Sequence, residues 1–204
     1  MDIITRFQKS ILDNSNNSIK YYFTKSKNKY IIHIENPNNE PINVCDNNLE
    51  FYTKLINILF DNNNKTKSGC FNYEHTEDDD PLYNSDFDDL MVRFLKSDYC
   101  LILIDDNFEP LSYLCISDNT LWTLCTNSLF RNKGYMSLLL DHLFKLIKNK
   151  KFKDYIDLPN LKIYIKKNNP IKDALFKYYK KYKFKLENDN FEYLIMKYNI
   201  DTRI

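Results

Sequence analysis

The residues most able to do chemistry stand together at 131–134, where the sequence reads Arg-Asn-Lys-Gly. The stretch before it, 121–126, is rich in strand formers, and the stretch after it, 138–147, spaces apolar residues three and four apart, as an amphipathic helix does. A helix that follows a glycine turn begins with amides that lack helical partners, and these amides and the helix dipole attract anions. Gly134 is one of only two glycines in the chain, so its place here indicates an anion-binding turn. The alternative is that Gly134 only starts or bends the helix, since isolated glycine motifs often match by chance.

The composition limits the class of protein. A chain of 204 residues with 43% apolar residues suits one domain over 1–204, with an N-terminal extension over 1–29. The net charge of +1 argues against a dedicated nucleic-acid-binding protein. No stretch approaches the roughly 18 consecutive apolar residues of a membrane-spanning helix, and no signal peptide is evident. The five cysteines form no Cys-x-x-Cys pair, which predicts buried reduced thiols, no metal site and a cytoplasmic protein.

Periodicity and turn residues predict a mixed α/β protein. Strands at 19–23 and 30–34 should form a hairpin. Strands at 99–104, 111–117 and 120–126 should form an antiparallel meander, because Asp118-Asn119 and the residues at 105–107 favour tight turns. The other predicted elements are helices at 1–17, 49–60, 85–97, 134–148 and 170–182, and strands at 161–165, 184–187 and 191–198.

The third meander strand, the helix at 134–148 and the strand at 161–165 form a strand–helix–strand unit, so these two strands should be parallel. Ligands in open α/β sheets bind at the carboxyl ends of such strands. In this context the chain resembles the GNAT N-acetyltransferase superfamily. That family has a strand, then Arg/Gln-x-x-Gly-x-Gly/Ala, then a helix. This sequence has Arg131-Asn132-Lys133-Gly134-Tyr135-Met136 in the same place.

A second family element follows the next strand, where GNAT proteins have an Asn, a helix and then Tyr-x-Lys-x-Gly-Phe. This sequence has Asn168-Asn169-Pro170 and then Tyr179-Lys180-Lys181-Tyr182-Lys183-Phe184. The resemblance covers about 99–198 and implies a GNAT-like fold. Two residues depart from the pattern. Met136 stands where a small residue usually lies beside the diphosphate, and Lys183 stands for a glycine, which implies that another residue absorbs the turn.

The resemblance implies acetyl-CoA as cosubstrate. Its diphosphate would lie on the amides from Asn132 to Ser137, and its pantetheine arm would bond to the backbone of Leu124 and Thr126. Strand amides near Cys125 would stabilise the oxyanion. The residues expected to bind acetyl-CoA are Leu124, Cys125, Thr126, Arg131, Asn132, Lys133, Gly134, Tyr135, Met136, Ser137 and Asn169.

The catalytic residue expected from the resemblance is Tyr179, which matches the family's tyrosine that protonates the departing thiolate. Tyr178 and Tyr182 are alternatives on the same predicted helix. A nucleophilic role for Cys125 is disfavoured, because direct transfer needs no acyl-enzyme. Trp122 and His142 are expected to pack in the core. The base that takes the proton of the amine is not identified, and Glu109, His75 and acidic residues of the first half are weak candidates.

The acceptor is expected to be a primary amine of a small molecule or a protein. The segment 74–80 carries five carboxylates, which would attract a polycationic amine, although a solvated acidic loop is the simpler explanation. The rival function is a GNAT-like domain kept for binding or scaffolding without catalysis. A nucleic-acid site along the lysine-rich stretch 145–185 ranks third. We expect no nucleic-acid or membrane partner, and a monomer or homodimer.

Overall fold

The computed structural model describes residues 20–26, 29–36, 97–107, 109–148, 160–169 and 171–199. Within these ranges eight strands form one sheet in the order β1-β2-β3-β4-β5-β6-β8-β7. The strands are β1 (Lys20–Ser26), β2 (Lys29–Glu35), β3 (Tyr99–Ile104), β4 (Pro110–Ser117), β5 (Thr120–Thr126), β6 (Lys162–Lys166), β7 (Phe184–Asp189) and β8 (Tyr193–Tyr198). The helices are α1 (Tyr135–Lys148) and α2 (Lys172–Lys181), and a short 3₁₀ turn covers Ser128–Phe130.

The strand directions confirm the mixed sheet that the sequence predicted. β5 and β6 are parallel, and every other neighbouring pair is antiparallel. The N-terminal hairpin, the meander and the strand–helix–strand unit are all present, with ends within about three residues of those expected. The helices predicted at 1–17 and 49–60, and all but the last residue of the one at 85–97, lie outside the described residues.

The meander half of the sheet is tightly built. Asp118 and Asn119 both have positive φ, 48° and 55°, which is the backbone of a type I′ hairpin turn between β4 and β5. All six residues of β3 are buried, so both faces of the sheet are covered at this strand. Helix α1 covers one of these faces, where it packs on β3, β4 and β5.

The buried face of α1 follows from its apolar spacing. Leu139, Leu140, Leu143 and Phe144 are buried, and each fully buried side chain of this size contributes about 1.5–3 kcal/mol relative to exposure. Basic residues lie in the last turn, where they suit the negative end of the helix dipole. None of the helices in the described ranges is long and apolar enough to cross a membrane.

Aromatic rings join the two helices to the C-terminal strands. Phe144 of α1 stacks on Tyr198 at a centroid distance of 4.7 Å and on Tyr182 at 5.8 Å. Phe184 meets Tyr198 edge-on at 5.6 Å. Such pairs contribute about 0.5–1.5 kcal/mol beyond their buried area. They fix α2 against the sheet, and α2 carries the candidate catalytic Tyr179.

The end of α2 corrects one expectation. Another residue was expected to absorb the turn where GNAT proteins have a glycine, but Lys183 itself does so, with φ 66°. Its amide donates to the Lys180 carbonyl at 3.1 Å, and the Tyr182 amide donates to the Tyr179 carbonyl at 2.9 Å. The exposed lysine side chain tolerates a backbone conformation that glycine would adopt with less strain.

Candidate active site

The candidate site is the place where β5 and β6 separate. These strands share a single register pair, Thr120 with Lys162, and the amide of Lys162 donates to the carbonyl of Asn119 at 2.8 Å. Beyond that pair the strands diverge, so backbone groups of both strands face an opening. The divergence leaves room for an extended ligand at the carboxyl ends of the parallel strands.

A β-bulge in β5 accompanies the divergence. The register to β4 passes from Leu121 opposite Ile116 to Thr123 opposite Cys115, so Trp122 is the extra residue. Bulges bend a strand and increase its twist, and they are enriched beside active sites. Here the bend falls two residues after the register pair of Thr120 with Lys162.

A cleft of about 120 Å³ occupies the opening. Its lining comes from three elements: Leu121, Trp122, Thr123 and Leu124 of β5, Ile163 and Tyr164 of β6, and Tyr179 of α2. Two predicted site residues, Leu124 and Tyr179, therefore meet in one cleft. Glu109, a weak candidate for the base, lies in the β3–β4 turn and is absent from this lining. His75 and the acidic segment 74–80 lie outside the described residues.

Tyr179 differs from the two neighbouring tyrosines in what its hydroxyl can reach. Tyr178 and the Ser137 hydroxyl are hydrogen-bonded at 2.9 Å, and the Tyr182 hydroxyl donates to the Ser137 carbonyl at 3.5 Å. Both of these rings are therefore tied to the start of α1. Tyr179 is buried, and among the three it alone lines the cleft. Burial raises the pKa of Tyr179 above its ordinary value, so its hydroxyl stays protonated at neutral pH.

The turn into α1 has the backbone that an anion site needs. Asn132 and Gly134 have positive φ, 62° and 76°. The first helical hydrogen bond runs from the Leu138 amide to the Gly134 carbonyl at 3.0 Å, so the amides of Tyr135, Met136 and Ser137 precede the helical ladder. A Cβ added to Gly134 would meet no protein atom within 4 Å. The backbone angle thus favours glycine, and the space beside it is open.

Basic side chains surround this turn. Arg131 is exposed, and its Nε donates to the Thr126 carbonyl at 3.4 Å. Lys133 is exposed and its Nζ lies 5.0 Å from the centre of the Phe130 ring. Lys29, from the N-terminal hairpin, places its Nζ 5.1 Å from the centre of the Tyr135 ring. The sequence did not point to Lys29, because only the folded hairpin brings it to this turn.

Met136 and Asn169 have structural contacts of their own. Met136 is half-buried and packs against the apolar core, so its side chain is not directed away from the protein over the turn. The side-chain oxygen of Asn169 accepts a hydrogen bond from the Ile171 amide at 3.0 Å, which stabilises the entry to α2. The described contacts of both residues are explained by folding, and their predicted contacts with acetyl-CoA stay predictions.

The cysteines correct the expectation of reduced thiols throughout. Cys100 and Cys115 are free and buried, with their sulfurs 3.0 Å apart. Cys125 is disulfide-bonded. Its sulfur is therefore no nucleophile in this state, whereas the backbone carbonyl of Cys125 accepts a hydrogen bond from the Ser112 hydroxyl at 2.7 Å. In the described ranges no cluster of three or more metal-ligating side chains is present.

Two side chains expected in the core behave differently. Trp122 is 51% exposed, because the bulge turns it out of the packed strand. His142 is half-buried, and its Nε2 lies 3.2 Å from the Nε2 of His33. His33 is fully buried and its Nδ1 is hydrogen-bonded to the Tyr99 hydroxyl at 2.7 Å. Burial lowers the pKa of His33 to about 3, with a further contribution from His142.

Comparison with known proteins gives weak similarity. No protein-family model matches the chain, and no curated protein matches it. Among solved structures, YjaB from Escherichia coli in its apo form is 17% identical, with 73% of this chain and 91% of that chain covered and a TM-score of 0.43. Mutant forms of the spermidine/spermine N-acetyltransferase SpeG from Vibrio cholerae are 13% identical, with 89% and 93% covered and a TM-score of 0.41. Similarity at this level says nothing about activity or substrate. The chain's own sheet has one parallel strand pair joined through a glycine turn and a helix, which is the strand–helix–strand unit that the sequence predicted.

Proposed function

We propose that this protein is an N-acetyltransferase of the GNAT superfamily that moves an acetyl group from acetyl-CoA to a primary amine. The observation that carries the proposal is the separation of β5 from β6, with Tyr179 in the opening and the Gly134 turn at the start of the helix that follows β5. A strand opening next to a glycine turn suits a ligand with an extended arm and a phosphate end.

The residues fit acetyl-CoA as a substrate. The amides of Tyr135, Met136 and Ser137 and the positive end of the α1 dipole suit the diphosphate. Arg131 and Lys133 add positive charge at the same turn. The backbone of Leu124 to Thr126 would bond to the pantetheine arm, which brings the thioester towards Tyr179.

These residues can account for the bonds and protons that change in the acetyl transfer. The nitrogen lone pair of a neutral amine attacks the thioester carbonyl carbon, a C–N bond forms and the C–S bond breaks. The sulfur takes the hydroxyl proton of Tyr179, and the nitrogen loses one proton, which restores that hydroxyl directly or through water. A thiol has a pKa near 8.5 and Tyr179 has one raised above about 10, so donation from Tyr179 alone is uphill. The proton that the amine releases offsets this cost.

The side chains that line the cleft are also relevant to the rival proposal, a binding domain without catalytic activity. In the described part of the chain, the cleft lining contains no carboxylate and no histidine. An alkyl amine has a pKa of about 10.4, so some group or water must take its proton before it attacks. This feature favours binding without turnover, unless water or the acceptor itself provides the neutral amine.

Isothermal titration with acetyl-CoA, followed by thiol release with a panel of amines, tests the proposal. Binding together with thiol release for at least one amine is the expected result. Binding without release on any amine, peptide or aminosugar would establish the rival. Absence of binding at millimolar acetyl-CoA would refute both the proposed acetyltransferase activity and the proposal that acetyl-CoA is the cosubstrate.

A further inference from the structure

His33 and His142 form a close pair of imidazole rings between β2 and α1, although they are 109 residues apart in the chain. Their Nε2 atoms lie 3.2 Å apart, their ring centres lie 5.0 Å apart, and the ring planes make an angle of 70°. Imidazole nitrogens are the commonest metal ligands in proteins. The geometry therefore bears on whether the pair is only hydrogen-bonded or also suits a metal ion.

The separation of the nitrogens and that of the ring centres together distinguish these arrangements. Rings joined by a straight N–H···N hydrogen bond of this length would have centres about 5.5 Å apart. A tetrahedral ion at about 2.05 Å from each nitrogen would hold the nitrogens about 3.2–3.4 Å apart and the ring centres about 5.0–5.2 Å apart. The observed separations of 3.2 Å and 5.0 Å agree with a shared ion and not with a straight hydrogen bond.

Tyr99 orients the buried ring of the pair. The Nδ1 atom of His33 is hydrogen-bonded to the Tyr99 hydroxyl at 2.7 Å, in a fully buried contact. When Nδ1–H donates to the Tyr99 oxygen, the lone pair of Nε2 is directed towards His142. Metal-binding histidines are commonly held by such a partner on their other nitrogen, which fixes both the tautomer and the ring orientation. The contact with Tyr99 therefore gives His33 the support that a metal ligand needs.

Thr24 brings a third donor atom from the neighbouring strand β1. Its Oγ1 lies 2.9 Å from the Nε2 atom of His33. His33 is fully buried and His142 is half-buried, so solvent reaches the pair from the side of α1. Within the described ranges, no group of three or more His, Cys, Asp or Glu side chains is placed to hold an ion. The coordination would therefore consist of two nitrogens, one hydroxyl oxygen and water.

The types of ligand indicate the metal and the strength of its binding. Imidazole nitrogens suit Zn²⁺, whereas Mg²⁺ and Ca²⁺ prefer sites built from oxygen ligands alone. Neutral ligands do not balance the charge of the ion. Burial and then the nearby Lys145 lower the pKa of His142, and the positive charge of Lys145 opposes a bound cation in the same way. We therefore expect a site of modest affinity.

We propose that His33 and His142, together with Thr24, form a Zn²⁺ site that joins the β1–β2 hairpin to α1. The ion would replace the contact between the two Nε2 atoms, and each ring would keep its proton on Nδ1. None of the three residues lines the cleft of the candidate active site, so the proposal is independent of acetyl transfer. It differs from the absence of a metal site that the cysteine spacing predicted. Because the ion binds the folded arrangement, its main effect is on stability.

Zinc chloride is titrated into the chelator-treated protein, and binding is followed by calorimetry and by Tm. We expect Tm to rise by about 3–6 °C at a zinc concentration tenfold above Kd. His142→Ala should weaken zinc binding at least about tenfold. His75→Ala is the matched control, because His75 is the only other histidine in the chain, and it should leave zinc binding unchanged. A rise in Tm that persists in His142→Ala, or no rise in the original protein, would overturn the proposal.

Two further variants test the site without removing either histidine. Tyr99→Phe deletes the hydroxyl that holds His33 and keeps the ring, so zinc affinity should fall about tenfold. Lys145→Gln removes the opposing charge and should raise zinc affinity a few-fold, with the largest gain at low salt. Co²⁺ in place of Zn²⁺ reports the ligand types, because thiolate ligands add an intense near-ultraviolet absorption that nitrogen and oxygen ligands lack. Thiolate absorption, or unchanged zinc affinity in both variants, would overturn the proposal.

Discussion

The two halves of the sheet are built differently. From β2 to β5 the strands pair along their length, and β3 is buried on both faces. In the other half, five of the six residues of β7 are exposed, and β6 alternates between buried and exposed positions. The halves meet at β5 and β6, which share one register pair. Strands that pair fully leave no room for a ligand, so the seam between a dense half and an open half is the natural place for a site.

We expect the largest effect on activity from a substitution in the opening between β5 and β6. Tyr179→Phe removes one hydroxyl from the cleft and should lower turnover by roughly 10² to 10⁴, with acetyl-CoA affinity little changed. Steady-state kinetics and acetyl-CoA titration measure the two quantities. Tyr178→Phe is the matched control, because its hydroxyl bonds to Ser137 and does not line the cleft. It should keep turnover within about threefold. A fall of less than threefold for Tyr179→Phe would transfer the role to another tyrosine or to water.

We expect the next largest effect, a loss of acetyl-CoA affinity, from a substitution in the turn before α1. Gly134→Val places a side chain in space that contains no protein atom, where the diphosphate would lie. It also forces a β-branched residue to φ 76°, at a cost of about 1–2 kcal/mol in stability. We expect acetyl-CoA affinity to fall at least about tenfold, by titration. Asn132→Gly, which accepts its φ of 62° without strain, should leave affinity nearly unchanged. An unaltered affinity in folded Gly134→Val would place the anion site elsewhere.

The parts of the fold that the sequence predicted correctly depend on residues close together in the chain. The meander, the turn at Asp118 and Asn119, and the Gly134 turn all follow from neighbouring residues whose preferences agree with the fold. Tertiary contacts account for the rest. The pairing of His33 with His142 spans 109 residues, and the approach of Lys29 to Tyr135 needs a folded hairpin. Trp122 was expected in the core because the composition of its strand predicts burial. No feature of the sequence predicts the bulge that exposes it.

We expect acid to destabilise the protein through a buried histidine in the dense half of the sheet. His33 has a pKa of about 3 in the folded protein, against about 6.5 unfolded. Below pH 6.5 the unfolded chain therefore takes up a proton that the folded chain does not, and stability falls by up to about 1.4 kcal/mol per pH unit until about pH 3. His142, whose pKa is lowered by burial and by Lys145, acts in the same direction.

Urea unfolding at pH 7.0 and pH 5.0 checks the contribution of His33. The loss of stability between these values should be about 2 kcal/mol smaller in His33→Gln than in the original protein. Glutamine does not titrate in this range, and its amide can keep one hydrogen bond to Thr24 or Tyr99. An equal loss in both proteins would show that carboxylates elsewhere cause the acid sensitivity.

The smallest effect is expected in the open half, at the end of α2. Lys183 holds φ 66° with a side chain that has a Cβ, which costs about 1–2 kcal/mol, whereas glycine adopts this angle freely. The added freedom of glycine in the unfolded chain takes back part of this gain. Lys183→Gly should therefore stabilise the protein by about 0.5–1 kcal/mol, measured by urea unfolding. Lys181→Gly removes the same charge two residues earlier, within the helix, and should destabilise by a similar amount. If both variants shift stability in the same direction, the lysine charge rather than the backbone angle governs the end of α2. In that case the turn below Tyr179 would not be the strained point that its φ value indicates.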